Sequence, residues 1–276
     1  MWSTESVAAI NSLNDAYPMN ALPPGTLLQL MYVKERLRHI KPGCFVEIGP
    51  GAGDLSNLLL ELGWQGTAFD LEAATIKKLQ SRFSTEIAQG RYRPVLGDWL
   101  QTGSDMTADL VVSCMVIEHL DDEGEQAFVE RARSTLMSGG RMITLVPASP
   151  AHWGIEDEIA GHFRRYTADS AQSLLAKAGW TIDHIAGLTF PVSNLLFPVS
   201  NWLVRRSEAN KLTLSMTERT KQSGNRDVPM KTHFPNLLGL VLNPVVLYPM
   251  HLLQRLFSRS DRAMVLYVEA HPDSVR

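Results

Sequence analysis

The sequence predicts an α/β protein: a doubly wound parallel sheet with helices on both faces. Two observations predict it. Short apolar runs alternate with helix-like stretches from residue 44 to residue 186. The first run leads straight into a glycine-rich bend, VEIGPGAGDLS, covering Val46–Ser56. A bend with so few side chains, after a buried strand, lets a ligand approach bare main chain. Sheets of this kind bind ligands beyond the carboxyl ends of their strands, where strand order reverses.

The elements follow in order. Helices are expected over 3–15 and 25–40, where Leu27, Leu30, Met31, Leu37 and Ile40 share a face. Pro23-Pro24-Gly25 starts the second helix and Lys41-Pro42-Gly43 ends it. Strands are expected at 44–48, 67–69, 92–96, 108–113, 141–146 and 180–186, with helices at 54–62, 72–83, 121–137 and 167–178. Ser138-Gly139-Gly140, Pro147 and Gly179 are the breakers, and Thr167 with Ser170 starts the last of these helices. Then the alternation stops. Ile185–Val204 and Thr232–Gln254 contain no Asp, Glu, Lys or Arg, and a basic link joins them. An apolar strand candidate, 263–268, closes the pattern.

The expected organisation is therefore a helical cap at 1–43, a ligand-binding core at 44–186, an apolar and basic helical insertion at 187–260, and a last strand within 261–276. The chain has 276 residues, 45% hydrophobic and 20% charged, which suits a globular protein with a real core. Cys44 and Cys114 sit in apolar runs and read as buried free thiols, which points to a reducing compartment. The first residues lack a basic stretch followed by an apolar one, so no signal peptide is expected, and the expected location is cytoplasmic. From Arg205 to Arg276 eleven Lys/Arg face six Asp/Glu, a balance of +5 against −3 for the whole chain. That tail reads either as a solvated basic face or as a patch for an anionic acceptor or lipid surface.

The bend reads G-x-G-x-G, with Gly49, Gly51 and Gly53, and Asp54 stands where a dinucleotide fold wants its third glycine. An acid there repels a diphosphate, so a nucleoside-like ligand without one is expected. Asp70, at the end of the second strand, is placed to accept from both ribose hydroxyls, with Glu72 as its rival. Asp98 can accept from the amine of adenine, while Leu71 or Trp99 covers the ring. Trp99 also reads as plain core. Glu47, inside the first strand, must be paired, by a bound ammonium or by the amides of the bend.

VEIGPGAG, the acid at Asp70, LGDW and DLVVSCMVIEHLDD together resemble the successive motifs of class I S-adenosylmethionine-dependent methyltransferases over residues 44–190. The resemblance implies a seven-stranded, mostly parallel sheet whose last strand is antiparallel, with helices before the first strand covering the site. It implies S-adenosyl-L-methionine as cofactor: main chain of the bend against its methionine part, Asp70 on ribose, Asp98 on adenine, and Cys114, Met115 and the loop to His119 beside the reactive sulfur.

Methyl transfer is an in-line displacement, so the protein chiefly aligns the acceptor and takes up a proton. His119 is one candidate base. A second cluster lies in PASPAHWGIEDEIAGHFRRYTADS, where His162 or Tyr166 is expected to face the acceptor and His152, Arg164 or Arg165 to bind it. The plainer reading has the two arginines pairing with Asp157 and Glu158 while Tyr166 packs. GHFRRYT resembles a motif of methyltransferases tied to glycan, lipid-linked or secondary-metabolite pathways. No metal is expected, because no HxxxH or CxxC spacing occurs.

The prolines and asparagines of the insertion argue against a membrane-spanning helix and for short apolar helices forming a lid. Arg205, Arg206, Lys211, Arg255 and Arg259 flank them, as basic residues flank helices that lie on a membrane surface, here its inner face. The expected activity is methyl transfer to an O, N or C nucleophile of a small-molecule, lipid-linked or glycan-type acceptor. The rivals are an NAD(P)-dependent oxidoreductase and a non-catalytic cofactor-binding module on the same fold. Nucleic acid is not an expected partner, since the acidic body suits a polyanion poorly and no base-flipping motif occurs.

Overall fold

The computed structural model describes residues 21–102, 106–208, 213–214, 219 and 234–273. The helix expected at 3–15 and Lys211 lie outside them. Helix α1 (Pro24–Leu37) starts on a proline in its first turn, where the missing N–H costs no bond. It buries Leu27, Leu28, Tyr32, Val33 and Leu37. There follow β1 (Cys44–Ile48), α2 (Asp54–Glu61), β2 (Gln65–Asp70), α3 (Ala73–Arg82), α4 (Ser84–Ala88), β3 (Tyr92–Leu96) and β4 (Ala108–Cys114). After a short 3-10 turn at Ile117–His119 come α5 (Asp122–Thr135) and β5 (Leu136–Pro147). The chain continues through α6 (Ile155–Ala160), α7 (Ala168–Lys177), β6 (Trp180–Leu188), α8 (Val192–Glu208), α9 (Tyr248–Leu256) and β7 (Val265–Pro272). Thr167 caps α7 with Ser170 reciprocally, and Asp121 caps α5 on the Gly124 amide at 2.8 Å.

The seven strands form one sheet in the order β3-β2-β1-β4-β5-β7-β6. β1 to β5 are parallel, and β7 runs antiparallel to both β5 and β6. This is the seven-stranded, mostly parallel sheet that the resemblance implies. Adjacent strand residues face opposite sides, so neighbours in sequence enter different cores. Phe45, Val112 and Tyr267 join the core under α1, α2 and α3, while Val46, Val111 and Leu266 join the one under α5 and α7. Strand order reverses between β1 and β4, and the bend after β1 opens there.

Two polar ties hold the covering elements onto the sheet. Glu269 on β7 is buried, and its carboxylate accepts from Arg36 of α1 at 2.7 Å, from Arg141 of β5 at 2.6 Å and from the Tyr267 hydroxyl at 3.0 Å. The two guanidinium groups hold its pKa below the usual carboxylate value, against the opposing effect of burial. The second tie is Gln254 of α9, which donates to the Leu28 carbonyl at 2.9 Å and accepts from the Thr189 amide at 3.0 Å.

The insertion differs from expectation in one respect. In place of short pieces, residues 192–208 form one 17-residue helix with Pro198 inside it. An interior proline removes one backbone hydrogen bond, and here the helix continues past it. The last strand also runs further than 263–268. No helix among the described residues is long and apolar enough to cross a membrane.

Replacing Glu269 by Gln should lower stability by about 3 kcal/mol at neutral pH, because both arginines lose their counter-charge. Its folded-state pKa is depressed, so its contribution is complete above the unfolded value of 4.5 and is lost as pH falls through the lower folded value. Acid titrations of thermal stability should therefore be flatter below that value in the variant. An unchanged acid limb would remove Glu269 from this role.

Candidate active site

A cavity of about 930 Å³ lies over the carboxyl ends of β1, β2, β4 and β5. Its floor is the bend after β1, with Gly49, Pro50 and Gly51, together with Glu47 and Asp54. Asp70, Leu71, Glu72, Asp98 and Trp99 line one end. Cys114, Met115, His119, His162 and Arg165 line the other. Gln29, Leu30 and Val33 of α1, with Leu196, Phe197 and Leu203 of α8, form the walls above.

Local geometry explains why the strand ends open here. Gly51 has φ +53°, and a Cβ added to it meets nothing within 4 Å, so its bare face looks into open space. Gly53 has φ +83° but does not line the cavity; an added Cβ would lie 2.7 Å from both Leu79 and Phe83. Gly53 therefore serves close packing of α2 on α3, which corrects its expected place against a ligand. Met115, just past β4, holds φ +56°, a costly conformation for a side-chain-bearing residue.

The acids of the bend are individually partnered. Glu47 is buried, and burial pushes its pKa up to about 7. Ser56 Oγ donates to Glu47 Oε2 at 2.5 Å, and Tyr92 stands behind Ser56 at 2.9 Å. Its partner in the protein is thus a hydroxyl chain. Asp54 pairs with Arg82 at 2.8 Å, which offsets the charge expected to repel phosphates. Asp70 accepts from the Glu72 amide at 2.8 Å, and burial raises its pKa. Asp98 Oδ1 accepts from the Leu100 amide at 2.9 Å, which leaves the carboxylate further acceptor sites. Trp99 is almost fully buried and packs edge-on against Phe128, with centroids 5.2 Å apart; it is core that also touches the cavity.

At the far end two loops meet. The Phe163 amide donates to the Glu118 carbonyl at 2.8 Å and pins the loop after β4 to the loop after β5. His162 Nδ1 lies 2.9 Å from Asp157 Oδ1, to which Arg165 Nε also donates at 2.8 Å. The rings of His119 and His162 meet edge to face at 4.7 Å. Burial, followed by the nearby His162, lowers the His119 pKa to about 3. Glu118 is fully buried, and burial pushes its pKa up to about 8. The cavity wall gives Cys114 a thiol whose pKa is raised to about 12, chiefly by burial, and which lies 3.6 Å from Gln29 Oε1.

Three residues of the 152–166 cluster stand off the cavity. Tyr166 is buried and its hydroxyl donates to Glu125 of α5. Arg164 pairs with Asp122 at 2.6 Å and with Glu125 at 3.0 Å. His152 bonds Ser149 at 2.9 Å and Asn194 of α8 at 3.2 Å, and so supports the lid helix. One sequence reading placed them at the acceptor; the plainer one had Tyr166 packing, as it does, although Arg164 pairs with Asp122 and Glu125 and not with Asp157 or Glu158. Sequence reasoning missed Glu118, the organising part of Asp157, and Gln29.

The cavity fits an adenosyl cofactor on its own terms. Gly51 offers bare main chain beside open space, two acids sit at the ends of β2 and β3, and flat apolar side chains flank them. Comparison with known proteins agrees. The profile of the methyltransferase-domain family matches residues 26–185. Ubiquinone biosynthesis O-methyltransferases from Caulobacter sp. and Caulobacter vibrioides are each 32% identical to this chain. These matches run over 98 and 97 residues, 36% and 35% of this chain; the chain covers only 38% of each relative's length. The glycopeptide N-methyltransferase MtfA, solved with S-adenosyl-L-methionine, superposes with a TM-score of 0.53 at 15% identity, covering 99% of this chain and 98% of its own. Magnesium protoporphyrin IX methyltransferase from Synechocystis, with S-adenosylhomocysteine bound, superposes with a TM-score of 0.52 at 17% identity, covering 66% and 88%. At these identities the superpositions establish the fold.

The two glycines should separate cleanly. Gly51→Val should abolish S-adenosylhomocysteine binding in calorimetry while the chain still folds, its positive φ costing about 1–3 kcal/mol with no added contact. Gly53→Ala should cost about 1–3 kcal/mol of stability through strain and overpacking. A stable Gly53→Ala, or a Gly51→Val that still binds, would reverse these assignments.

Proposed function

The chain belongs to the methyltransferase-domain family, and from that premise we propose that it transfers a methyl group from S-adenosyl-L-methionine to a nucleophile of an apolar, small-molecule or lipid-type acceptor. The observation that carries this reading is the single cavity running from Gly51 and Asp70 to His119 and His162. A cofactor and an acceptor can lie end to end in it, as in-line displacement requires. When bound, the cofactor supplies an electrophilic methyl on a sulfonium sulfur.

The chain's own residues do the rest. Gly51 lets main chain approach the methionine part, while Gly49 beside it makes room for Val116; Asp70 accepts from the ribose and Asp98 from the adenine. Leu71 and the edge of Trp99 cover the base. Leu30, Val33, Leu196, Phe197 and Leu203 keep water from the reacting end and favour an apolar acceptor. His162, oriented by Asp157, faces the place where the acceptor's proton must leave, and the His119 ring packs beside it. Arg165, also on the wall, is held by Asp157 and the Ala148 carbonyl.

A lipid-type acceptor is supported by the outer face of the insertion. Leu195, Trp202, Leu237, Leu240, Val245 and Leu256 are exposed there, and Leu196 and Val199 are both exposed and part of the cavity wall. Exposed Arg205, Arg206, Arg255 and Arg259 flank this face, with Arg206 stacked over Trp202 at 5.6 Å. An oxygen nucleophile is favoured over nitrogen or carbon by the likeness to O-methyltransferases.

Calorimetry should show binding of S-adenosylhomocysteine and none of NADH; the opposite result would support the oxidoreductase. Turnover of a phenolic acceptor should fall about 100-fold in His162→Ala, with S-adenosylhomocysteine affinity within about twofold of wild type. Unchanged turnover would take His162 out of the site. The protein should sediment with anionic but not neutral vesicles at low salt. No sedimentation would eliminate the lipid-type acceptor.

A further inference from the structure

We propose that Glu118, His119 and His162 form a binding site for a first-row transition divalent cation at the acceptor end of the cavity. The location rests on the geometry alone; its relation to an acceptor rests on the reading above. The three residues come from two loops, yet one ligand atom of each lies within 4.8 Å of the others. The Phe163–Glu118 backbone bond holds those loops together.

Three observations point to a bound ion. Glu118 is fully buried, and neither of its carboxylate oxygens has a hydrogen-bond partner. A bare buried carboxylate is costly even when protonated, since its hydroxyl then lacks an acceptor and its carbonyl a donor. His119 Nδ1 is also buried and without a partner. His162 has Nδ1 engaged by the Asp157 carboxylate, which leaves the Nε2 lone pair 3.9 Å from Glu118 Oε1. His162 is thus anchored through one nitrogen and offers the other on the side of Glu118, with the unpartnered His119 ring beside it. A carboxylate or carbonyl behind a metal-binding histidine fixes its tautomer and orientation in this way.

The donor set selects the class of ion. Two imidazoles and one carboxylate suit manganese through zinc, whereas magnesium and calcium prefer oxygen alone. Three protein ligands leave coordination positions open, as in catalytic rather than structural sites. His119 and His162 line the cavity, so those positions face the acceptor. With the cation bound the two histidines are ligands and not the base: an acceptor hydroxyl taking an open position becomes a stronger acid, loses its proton to water, and its oxygen is held for attack on the methyl.

The test uses the full chain, stripped with a chelator and titrated with zinc by calorimetry and with cobalt by visible absorption. One equivalent should bind, and cobalt should give the spectrum of mixed imidazole and carboxylate coordination. Glu118→Gln and His119→Ala should each weaken zinc by at least about 100-fold, and Asp157→Asn by about 10–100-fold. Circular dichroism and S-adenosylhomocysteine affinity, measured on the same samples, should be unchanged in Glu118→Gln. No binding by the wild-type chain, or binding that survives both ligand variants, overturns the site. Should a variant fail to fold, broadening of the His119 and His162 ring resonances by cobalt in the wild-type chain decides instead. If the cation fails while S-adenosylhomocysteine binds, only this inference falls. If the cation binds and S-adenosylhomocysteine does not, the methyl-transfer reading falls.

Discussion

The acceptor end of the site depends on one buried carboxylate. Asp157 is fully buried and accepts from the Gly154 amide at 2.9 Å, the His162 ring at 2.9 Å and Arg165 Nε at 2.8 Å. Burial alone raises an acid's pKa, yet these donors hold Asp157 below the usual carboxylate value, so their combined effect wins. Arg165 in turn donates to the Ala148 carbonyl at 3.0 Å and ties the loop back to the end of β5. The backbone bonds of Tyr166 to Pro147 and of Ser149 to Tyr166 close the same loop from outside. The connection from β5 to α7, with Asp157 on its short helix α6, is thereby fixed about a single charge, and His162 inherits its orientation from it.

The rest of the molecule supplies the complementary half. A parallel sheet offers its carboxyl edge as a platform, but an open edge alone would be wet. α1 and α8 close it from above, and each is tied down by polar contacts that cross the molecule. Arg36 reaches Glu269 on β7, Gln254 reaches the Leu28 carbonyl, and Asn194 reaches the Arg262 carbonyl at 2.9 Å. Such contacts discriminate between arrangements better than apolar packing does, because a misplaced partner leaves a buried polar group unpaired. The apolar faces of the two helices then line the cavity without having to specify their own position.

That Gly51, Asp70 and Asp98 line one cavity was legible in the sequence for a local reason. Strand, bend and acid follow one another closely, and the rule that ligands sit at strand ends converts that order into geometry. The opposite end of the cavity was not. In the extended segment 164–166 successive side chains face opposite ways. Arg165 therefore turns to the cavity, while Arg164 and Tyr166 both reach Glu125 on α5. A run of polar residues read as one cluster is thus divided between two jobs. Gly53 misled for a similar reason: its positive φ looks the same in sequence whether its bare face meets a ligand or Phe83. Glu118 and His119 are adjacent, but their convergence with His162 depends on the meeting of two loops, which motif spacing within one element cannot reveal.

Charge at the floor of the cavity bears on which ligand it admits. Glu47, Asp54, Asp70, Glu72 and Asp98 all line that end, and among the described residues Arg82 offsets Asp54. A diphosphate brought there meets the remaining acids in a site partly shielded from water, where like charges repel strongly. A ligand carrying an ammonium and a sulfonium meets the opposite situation. Glu47, whose pKa burial raises to about 7, is the most sensitive group. A nearby cation favours its ionised form and relieves the cost of burying it. The acids that make this floor unfavourable when empty are therefore those that make it selective when a cation is bound.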